Sequence, residues 1–216
     1  MKNYLSIDQG TTSSRSIIFN SKLEKLCDSQ IEYDLAYPND GWVELEPLDI
    51  LETVKATTKK VLQDYDQIEA CGITNQRETT IVWSKETGAP IYPGIVWQDR
   101  RTSEYCNELK AKGYEETVKK RTGLVLDPYF SATKINWILE NVDGAREMAS
   151  EGKLAFGTVD SYLVYQLSKE KNHYTDVTNA SRTLLFNIHD MCWDEELLSI
   201  FEIPASMLPE VLPCDG

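Results

Sequence analysis

A hydroxyl-rich turn near the amino terminus carries the first residues that could do chemistry. The stretch "DQGTTSSR" places Asp8, four consecutive hydroxyl residues and Arg15 between two apolar runs. On local grounds it is a β-hairpin turn, in which Gly10 supplies a positive φ and the hydroxyls bond their own backbone. Alternatively, its N–H groups and hydroxyls face a phosphate, while the Asp8 carboxylate holds the metal that accompanies a nucleotide. These residues alone leave both interpretations open.

Two common phosphate-binding motifs are missing from the sequence. Neither GxxxxGK[ST] nor GxGxxG occurs, which excludes a P-loop and a Rossmann fingerprint. A phosphate site at the "DQGTTSSR" turn would therefore lie between strands rather than at the amino terminus of a helix.

A second group of residues could bind a molecule with adjacent hydroxyls. In "GITNQRETTIVW", Arg77 and Glu78 would point to opposite faces of a regular strand, so we expect the chain to turn there. A guanidinium donates to hydroxyl oxygens and a carboxylate accepts hydroxyl protons, which together suit a polyol. The alternative is an exposed ion pair worth less than ~1 kcal/mol. Trp97 and Tyr129 either complete this pocket with an aromatic face and a hydroxyl or pack in the core.

Composition limits the class of partner. The chain has 216 residues, enough for a domain with its own core, and a formal net charge of -13. That charge argues against a nucleic-acid groove, which needs a basic surface. No run approaches the ~18 apolar residues of a membrane helix, and the first strand begins too early for a signal peptide. We therefore expect a cytoplasmic protein that does not insert into membranes.

The thiols and imidazoles do not form a metal-ligand pattern. The cysteines are odd in number and never form a CxxC pair, which indicates free thiols in a reducing compartment. His173 and His189 are sixteen positions apart with no cysteine at ligand spacing, so we expect no metal site built from them.

The hydrophobic pattern predicts an α/β domain with a mixed sheet flanked by helices. The strands, hairpin and helices that we predict are "NYLSID", "RSIIFN", "CDSQIEYDL", a helix over 47–65, "IEACGIT", a hairpin over 79–91 with Gly88 in its turn, and helices over 99–112, 131–142 and 160–168. Asp160 is the predicted N-cap of the last helix. The Pro- and Gly-containing segment "PASMLPEVLPCDG" is typical of a linker at a domain boundary.

Several of these segments together resemble one known family. "DQGTTSSR", "GWVELEP", "GITNQRETTIVW", "IVWQDRR", "TGLVLDPYFSATK", "FGTVDSYL" and "TNASRTLLFNIH" are similar to the amino-terminal domain of the FGGY family of carbohydrate kinases. The resemblance runs from Tyr4 to the last residues. It is strongest to the members that phosphorylate glycerol, because "NQRETTIVW" typically differs in the sugar kinases.

The resemblance implies an actin-like, ribonuclease-H-like fold with nucleotide and polyol held between two such domains. It implies that residues 1–216 are the amino-terminal domain and that a carboxyl-terminal nucleotide domain lies outside this chain. The residues that it assigns are Asp8 for Mg²⁺, Thr11, Thr12, Ser13 and Arg15 for the ATP phosphates, and Arg77, Glu78, Trp97 and Tyr129 for glycerol.

The implied reaction is in-line transfer of the γ-phosphoryl group of ATP to a terminal hydroxyl of glycerol. The family's catalytic base is an aspartate in a Gly-Asp-Gln-Gln segment, which this sequence does not contain. We therefore expect the chain alone to be nearly inactive. The resemblance also implies that the full-length protein forms homo-oligomers. Two alternatives stay open: another FGGY kinase acting on a pentulose or larger polyol, and a non-catalytic binding module on the same fold.

Overall fold

The computed structural model describes residues 2–65 and 67–214. The chain divides into two compact units. The first unit comprises Met1–Ala36 and Leu45–Gln76, and the second comprises Tyr37–Glu44 and Arg77–Gly216. Each of the two groups of candidate residues therefore lies within a single unit.

Short strands and helices alternate along the described residues. The strands are β1 (Asn3–Gln9), β2 (Ser13–Asn20), β3 (Lys25–Glu32), β4 (Glu44–Leu45), β5 (Ile68–Asn75), β6 (Ile81–Ser84), β7 (Gly94–Ile95), β8 (Leu154–Gly157), β9 (Tyr174–Asp176), β10 (Phe186–Asn187), β11 (Cys192–Trp193) and β12 (Glu210–Leu212). The helices are α1 (Pro47–Val61), α2 (Ser103–Ala111), α3 (Glu115–Thr122), α4 (Ser131–Asn141), α5 (Ala145–Ser150), α6 (Val159–Leu167), α7 (Val177–Ala180) and α8 (Glu195–Ile200), with a 3₁₀ turn at Ala205–Met207.

The first unit contains a four-stranded mixed sheet in the order β3-β2-β1-β5. Strands β1 and β2 are antiparallel, as are β2 and β3, whereas β5 runs parallel to β1. The predicted order β-β-β-α-β and the mixed sheet are thus confirmed. Strand β3 begins two residues before the start of the predicted strand "CDSQIEYDL" and ends three residues before its end. The polar break between β2 and β3 is therefore shorter than expected.

Helix α1 packs on this sheet through an apolar stripe and paired hydroxyls. Ile50, Leu51 and Val54 are buried at helical spacing. The buried hydroxyl of Ser14, in strand β2, lies 2.9 Å from Thr53 Oγ1 of the helix. Ser14 therefore faces α1, although it belongs to the hydroxyl-rich stretch. The helix ends at Val61, four residues before the predicted end.

In the second unit, the predicted hairpin over 79–91 is confirmed around Gly88. The N–H of Gly88 donates to the Ser84 carbonyl at 2.8 Å, and Gly88 has a φ of 74°, in the left-handed region. A side chain would be strained at that φ, which accounts for the glycine. Strand β6, on one arm of the hairpin, pairs with β8 in antiparallel register.

Two helix predictions in the second unit need correction. Helix α2 begins at Ser103 rather than 99, because the Asp99 carboxylate accepts from the backbone N–H of Arg101 at 2.9 Å and holds a turn there. The predicted N-cap of α6 is also wrong: the cap position is Thr158. Asp160 lies inside the helix, where its buried carboxylate accepts from the hydroxyls of Thr158 and Thr175. The helix predicted over 131–142 is confirmed as α4.

The structure also bears on the predicted free thiols, on membrane-spanning helices and on the two histidines. No disulfide joins the five cysteines in the described part of the chain, which agrees with the predicted thiols. Within the same residues, no helix combines the length and apolar character needed to cross a membrane. His173 and His189 each bond a backbone carbonyl, of Phe156 and Lys120 respectively.

A buried cation anchors the loop that follows Trp97. The Arg101 side chain is fully buried and forms ion pairs of 2.8 Å with Glu44 and with Asp99. Its guanidinium carbon lies 3.8 Å from the centre of the Trp42 ring, within the range of a cation–π contact. This ion-pair cluster ties Trp42 and Glu44 to the "WQDRR" segment within the second unit.

Replacing Arg101 should destabilise the protein strongly. Arg101→Met leaves the Glu44 and Asp99 carboxylates buried without their cation, which typically costs about 3–5 kcal/mol. Urea unfolding should show this loss, whereas Arg146→Met, which removes an exposed ion pair with Glu140, should cost less than ~1 kcal/mol. Equal losses in the two variants would contradict the anchoring role of the cluster.

Candidate functional site

The hydroxyl-rich turn of the first unit is closed by its own backbone. The N–H of Gly10 donates to the Ser13 carbonyl at 2.8 Å, and the N–H of Tyr33 donates to the Thr12 carbonyl at 3.0 Å. It is therefore a hairpin turn between β1 and β2, as its local pattern predicts. The expected positive φ at Gly10 is wrong, because the turn closes without one.

Three polar side chains converge on the Gly10 carbonyl. Gln9 Nε2 donates to it at 2.7 Å, the Tyr33 hydroxyl at 2.5 Å and Gln76 Nε2 at 3.1 Å. Burial raises the pKa of Tyr33 to about 12, so its hydroxyl remains a donor across the physiological range. The conformation of the turn is thus imposed by residues from β1, from the end of β5 and from the segment after β3.

The predicted phosphate residues occupy different positions around the turn. Asp8 and Thr12 are exposed, while Thr11 and Ser13 are half-buried. Ser13 Oγ accepts a hydrogen bond from Gln30 Nε2 at 3.1 Å. An exposed carboxylate and an exposed hydroxyl at one turn are compatible with a metal-bound phosphate, because Mg²⁺ is usually held by one or two carboxylates together with phosphates and water.

Arg15 is already engaged by a neighbouring strand. Its guanidinium donates from Nε at 2.9 Å and from Nη2 at 2.5 Å to Asp28 on β3. Lys25 lies 3.0 Å from the same carboxylate, and both cations lower the pKa of Asp28. Arg15 also stands opposite Asp8 in the register of β1 and β2, which places the two residues on one face of the sheet.

In the second unit, the chain turns at Glu78 as the sequence predicts. Glu78 has a φ of 63°, and the N–H of Thr79 donates to the Arg77 carbonyl at 2.8 Å. This is the rarer, strained form of γ-turn, and a non-glycine residue in such a region costs about 1–3 kcal/mol. The turn leaves the Arg77 side chain exposed and buries Glu78, which is 3% exposed.

The partner of Glu78 is a residue that the sequence analysis missed. Arg182 Nε donates to Glu78 Oε1 at 2.6 Å, across 104 positions of sequence. The guanidinium carbon of Arg182 also lies 5.0 Å from the centre of the Phe130 ring and 5.8 Å from that of Tyr129. Only the resemblance of "TNASRTLLFNIH" covers Arg182, and no local pattern links it to Glu78.

Trp97 and Tyr129 lie against each other. Their ring centres are 5.5 Å apart at an interplanar angle of 58°, and both side chains are half-buried. Glu78, Arg182, Tyr129 and Trp97 therefore form one continuous group, which we call the Glu78 cluster. The exposed Arg77 guanidinium makes no hydrogen bond or ion pair with residues 2–65 or 67–214.

The first turn of α4 contacts each segment that carries a member of the Glu78 cluster. Ser131 Oγ donates to the Glu78 carbonyl at 3.1 Å, and the N–H of Ala132 donates to the Thr183 carbonyl at 2.9 Å. Two further contacts join Thr133 Oγ1 with Thr102 Oγ1 at 2.8 Å and Lys134 Nζ with the Tyr129 carbonyl at 2.6 Å. The first N–H groups of a helix have no partner within it, so they are available for such bonds.

Comparison with known proteins gives the family. A sequence profile described as the FGGY family of carbohydrate kinases, N-terminal domain, matches residues 3–215. The chain belongs to this family. Among curated FGGY relatives, a glycerol kinase of Pseudothermotoga lettingae is 56% identical and one of Oceanobacillus iheyensis is 57% identical, each over 98% of this chain. The chain spans 43% of the length of these two relatives.

Solved FGGY structures match as well. A Plasmodium falciparum glycerol kinase with ADP is 37% identical, with a TM-score of 0.92 over 98% of this chain and 43% of that one. A ligand-bound xylulose kinase from Lactobacillus acidophilus, at 22% identity and a TM-score of 0.89, shares the fold over 98% of this chain and 42% of that one. The predicted α/β fold of the actin-like, ribonuclease-H-like class is confirmed.

Removing the Tyr33 hydroxyl should loosen the hydroxyl-rich turn. Tyr33→Phe deletes one donor to the Gly10 carbonyl and removes a hydroxyl that accepts from the amide groups of both Gln9 and Gln76. We expect a loss of about 1–2 kcal/mol in the free energy of unfolding and faster amide exchange at the turn. Tyr37→Phe, at a side chain that is 68% exposed, is the matched control. Identical unfolding curves for the two variants would show that the hydroxyl does not hold the turn.

Proposed function

We propose that this chain is the amino-terminal part of an ATP-dependent glycerol kinase. The observation that carries the proposal is the 56–57% identity to bacterial glycerol kinases across nearly the whole chain. The chain spans less than half the length of those relatives, so the activity is proposed for the complete polypeptide. Its carboxyl-terminal domain would supply the catalytic base and the adenine pocket.

The Glu78 cluster is the proposed polyol site. The Glu78 carboxylate accepts protons from glycerol hydroxyls, Arg77 donates to their oxygens, and the Trp97 ring covers the carbon skeleton. The Tyr129 hydroxyl bonds one further oxygen. Arg182 orients the Glu78 carboxylate, because their bond of 2.6 Å fixes one carboxylate oxygen. A site that pairs each hydroxyl rejects analogues that would leave a buried group unpaired.

The turn between β1 and β2 is the proposed phosphate site. Thr11, Thr12, Ser13 and Arg15 would face the ATP phosphates, and Asp8 would hold Mg²⁺. The exposure of Asp8 and its position opposite Arg15 support these roles. When bound, Mg²⁺ would withdraw negative charge from the phosphates. Arg15 would exchange part of its bonding with Asp28 for bonding with phosphate oxygens.

The reaction transfers one phosphoryl group between two oxygens. A terminal hydroxyl oxygen of glycerol forms a bond to the γ-phosphorus, and the bond from that phosphorus to the β–γ bridging oxygen breaks. The hydroxyl proton passes to the base, and ADP and sn-glycerol 3-phosphate leave. Such transfers depend mostly on positioning and charge neutralisation, which are the properties that the Glu78 cluster and the turn would supply.

A second candidate is another FGGY kinase, acting on a pentulose or a larger polyol. The fold match to a xylulose kinase is consistent with it. The identity to that protein is 22%, however, against 56–57% for the glycerol kinases, which favours glycerol. A longer substrate would also need room beside the Trp97 and Tyr129 rings.

The proposed compartment is the cytoplasm, where glycerol and ATP are both available. The thiols of the described residues, which form no disulfide, fit that reducing environment. Self-association of the complete enzyme into a homo-oligomer belongs to the same proposal.

Binding measurements on the 216-residue chain test the polyol site. Titration by ligand-observed NMR should show glycerol binding in preference to ribitol and xylulose. Glu78→Gln should weaken glycerol binding at least ~10-fold, because charge-assisted bonds to the hydroxyls are lost, and Arg77→Ala should also weaken it. Glu116→Gln, an exposed residue of α3, should leave binding unchanged.

The outcomes separate the candidates. Tighter binding of xylulose than of glycerol would favour the second candidate. Glycerol binding that is identical in Glu78→Gln and Glu116→Gln would contradict the assignment of the polyol site to the Glu78 cluster.

A further inference from the structure

A lysine is buried directly behind the aromatic part of the Glu78 cluster. The Lys134 side chain is 0% exposed, and its Nζ donates to the Tyr129 carbonyl at 2.6 Å and to the Phe130 carbonyl at 3.4 Å. Its hydrogen-bond partners among the described residues are backbone carbonyls, not carboxylates. Burying an ammonium among neutral carbonyls costs free energy, because a charge removed from water is destabilising unless it is paired with an opposite charge.

The charges around Lys134 come from four segments. Asp99 before α2, Glu78 on the γ-turn and Asp127 before α4 act to favour its protonated form, as Cys106 within α2 would in its thiolate form. Burial outweighs them and lowers the pKa of Lys134 to about 7. Burial likewise raises the pKa of Cys106, to about 11, so that thiol carries no charge near neutral pH. Lys134 therefore changes its charge near neutral pH.

The backbone of Tyr129 is held on both sides. Its N–H donates to Asp127 Oδ1 at 2.9 Å, and the same oxygen forms an ion pair of 2.8 Å with Arg100. Its carbonyl is the acceptor of the Lys134 bond. Since Tyr129 is fixed by one carboxylate and one amine, the position of its ring beside Trp97 depends on both bonds.

We propose that Lys134 is a positioning residue for the polyol site. Its ammonium holds the Tyr129 and Phe130 carbonyls, and loss of that charge loosens the Tyr129 ring and lowers the affinity for the polyol. The identity of the ligand rests on the proposed function; the control of Tyr129 by Lys134 does not.

The direction of the pH effect follows from the strength of these bonds. An ammonium donates charge-assisted hydrogen bonds about twice as strong as those of a neutral amine. The stronger form predominates below the pKa of Lys134, so glycerol affinity is highest at acidic pH and falls as pH rises through about 7. By linkage, bound glycerol must raise the pKa of Lys134, since the ligand prefers the protonated form.

NMR on the protein without ligand tests the positioning role. The Lys134 Cε signal and the Tyr129 ring signals should be followed from about pH 5.5 to about pH 9. We expect both to shift with one midpoint near the pKa of Lys134, and the ring shift to be absent in Lys134→Met. Tyr129 ring signals that stay constant while Lys134 titrates would overturn the proposal.

Glycerol titrations across the same pH range test the effect on affinity. In the unmodified protein, affinity should fall on the order of fivefold, the equivalent of one hydrogen bond. Lys134→Met should bind weakly with no such pH dependence. Asn136→Ala is the matched control, because it removes another buried bond from α4, to the Phe201 carbonyl at 3.1 Å, without touching Tyr129. It should keep the pH dependence.

The results can contradict the role of Lys134 and the proposed function independently of each other. A pH dependence that persists in Lys134→Met would overturn the role of Lys134, even where glycerol binds. A protein that binds no glycerol at any pH would contradict the proposed function, while the Tyr129 ring signals would still decide the role of Lys134.

Discussion

The Glu78 cluster depends on the hydrogen bonds made by the first turn of α4. Ser131, Ala132 and Lys134 reach the backbone of Glu78, Thr183 and Tyr129 respectively, so one helical turn fixes three segments that are distant in sequence. The bonds use a hydroxyl, a helix N–H that has no partner within the helix, and a buried amine. A rigid helix is therefore the support on which a strained turn and a loop are held in register.

Glu78 shows why that support is needed. A positive φ at a non-glycine residue costs about 1–3 kcal/mol, and a buried carboxylate is costly unless it is paired. The bond from Arg182 offsets the second cost, and the bond from Ser131 helps hold the turn against the first. The Glu78 carboxylate is thereby an acceptor whose direction is fixed before any ligand arrives. This reduces the entropy cost of ordering the site on binding.

Sequence reasoning recovered what local chemistry determines. The turn at Arg77–Glu78 could be predicted because a regular strand would separate two residues suited to one ligand, and Gly88 marked its hairpin. Features that depend on distant contacts could not be predicted from the sequence. No local pattern pairs Glu78 with Arg182, and the helical spacing around Lys134 does not show that its amine is buried. Asp160 looked like a cap by residue type, yet the buried hydroxyls of Thr158 and Thr175 hold it within α6. The roles of the predicted phosphate residues, Asp8 among them, stay predictions.

The central claim is that the Glu78 cluster is a polyol site formed within the second unit. A crystal structure of the protein grown with glycerol tests it most directly. We expect glycerol oxygens within hydrogen-bond distance of the Glu78 carboxylate and the glycerol carbons against the Trp97 ring, with the Arg182 bond retained. Glycerol ordered elsewhere in the protein, with the space beside Glu78 and Trp97 filled by solvent alone, would contradict the account.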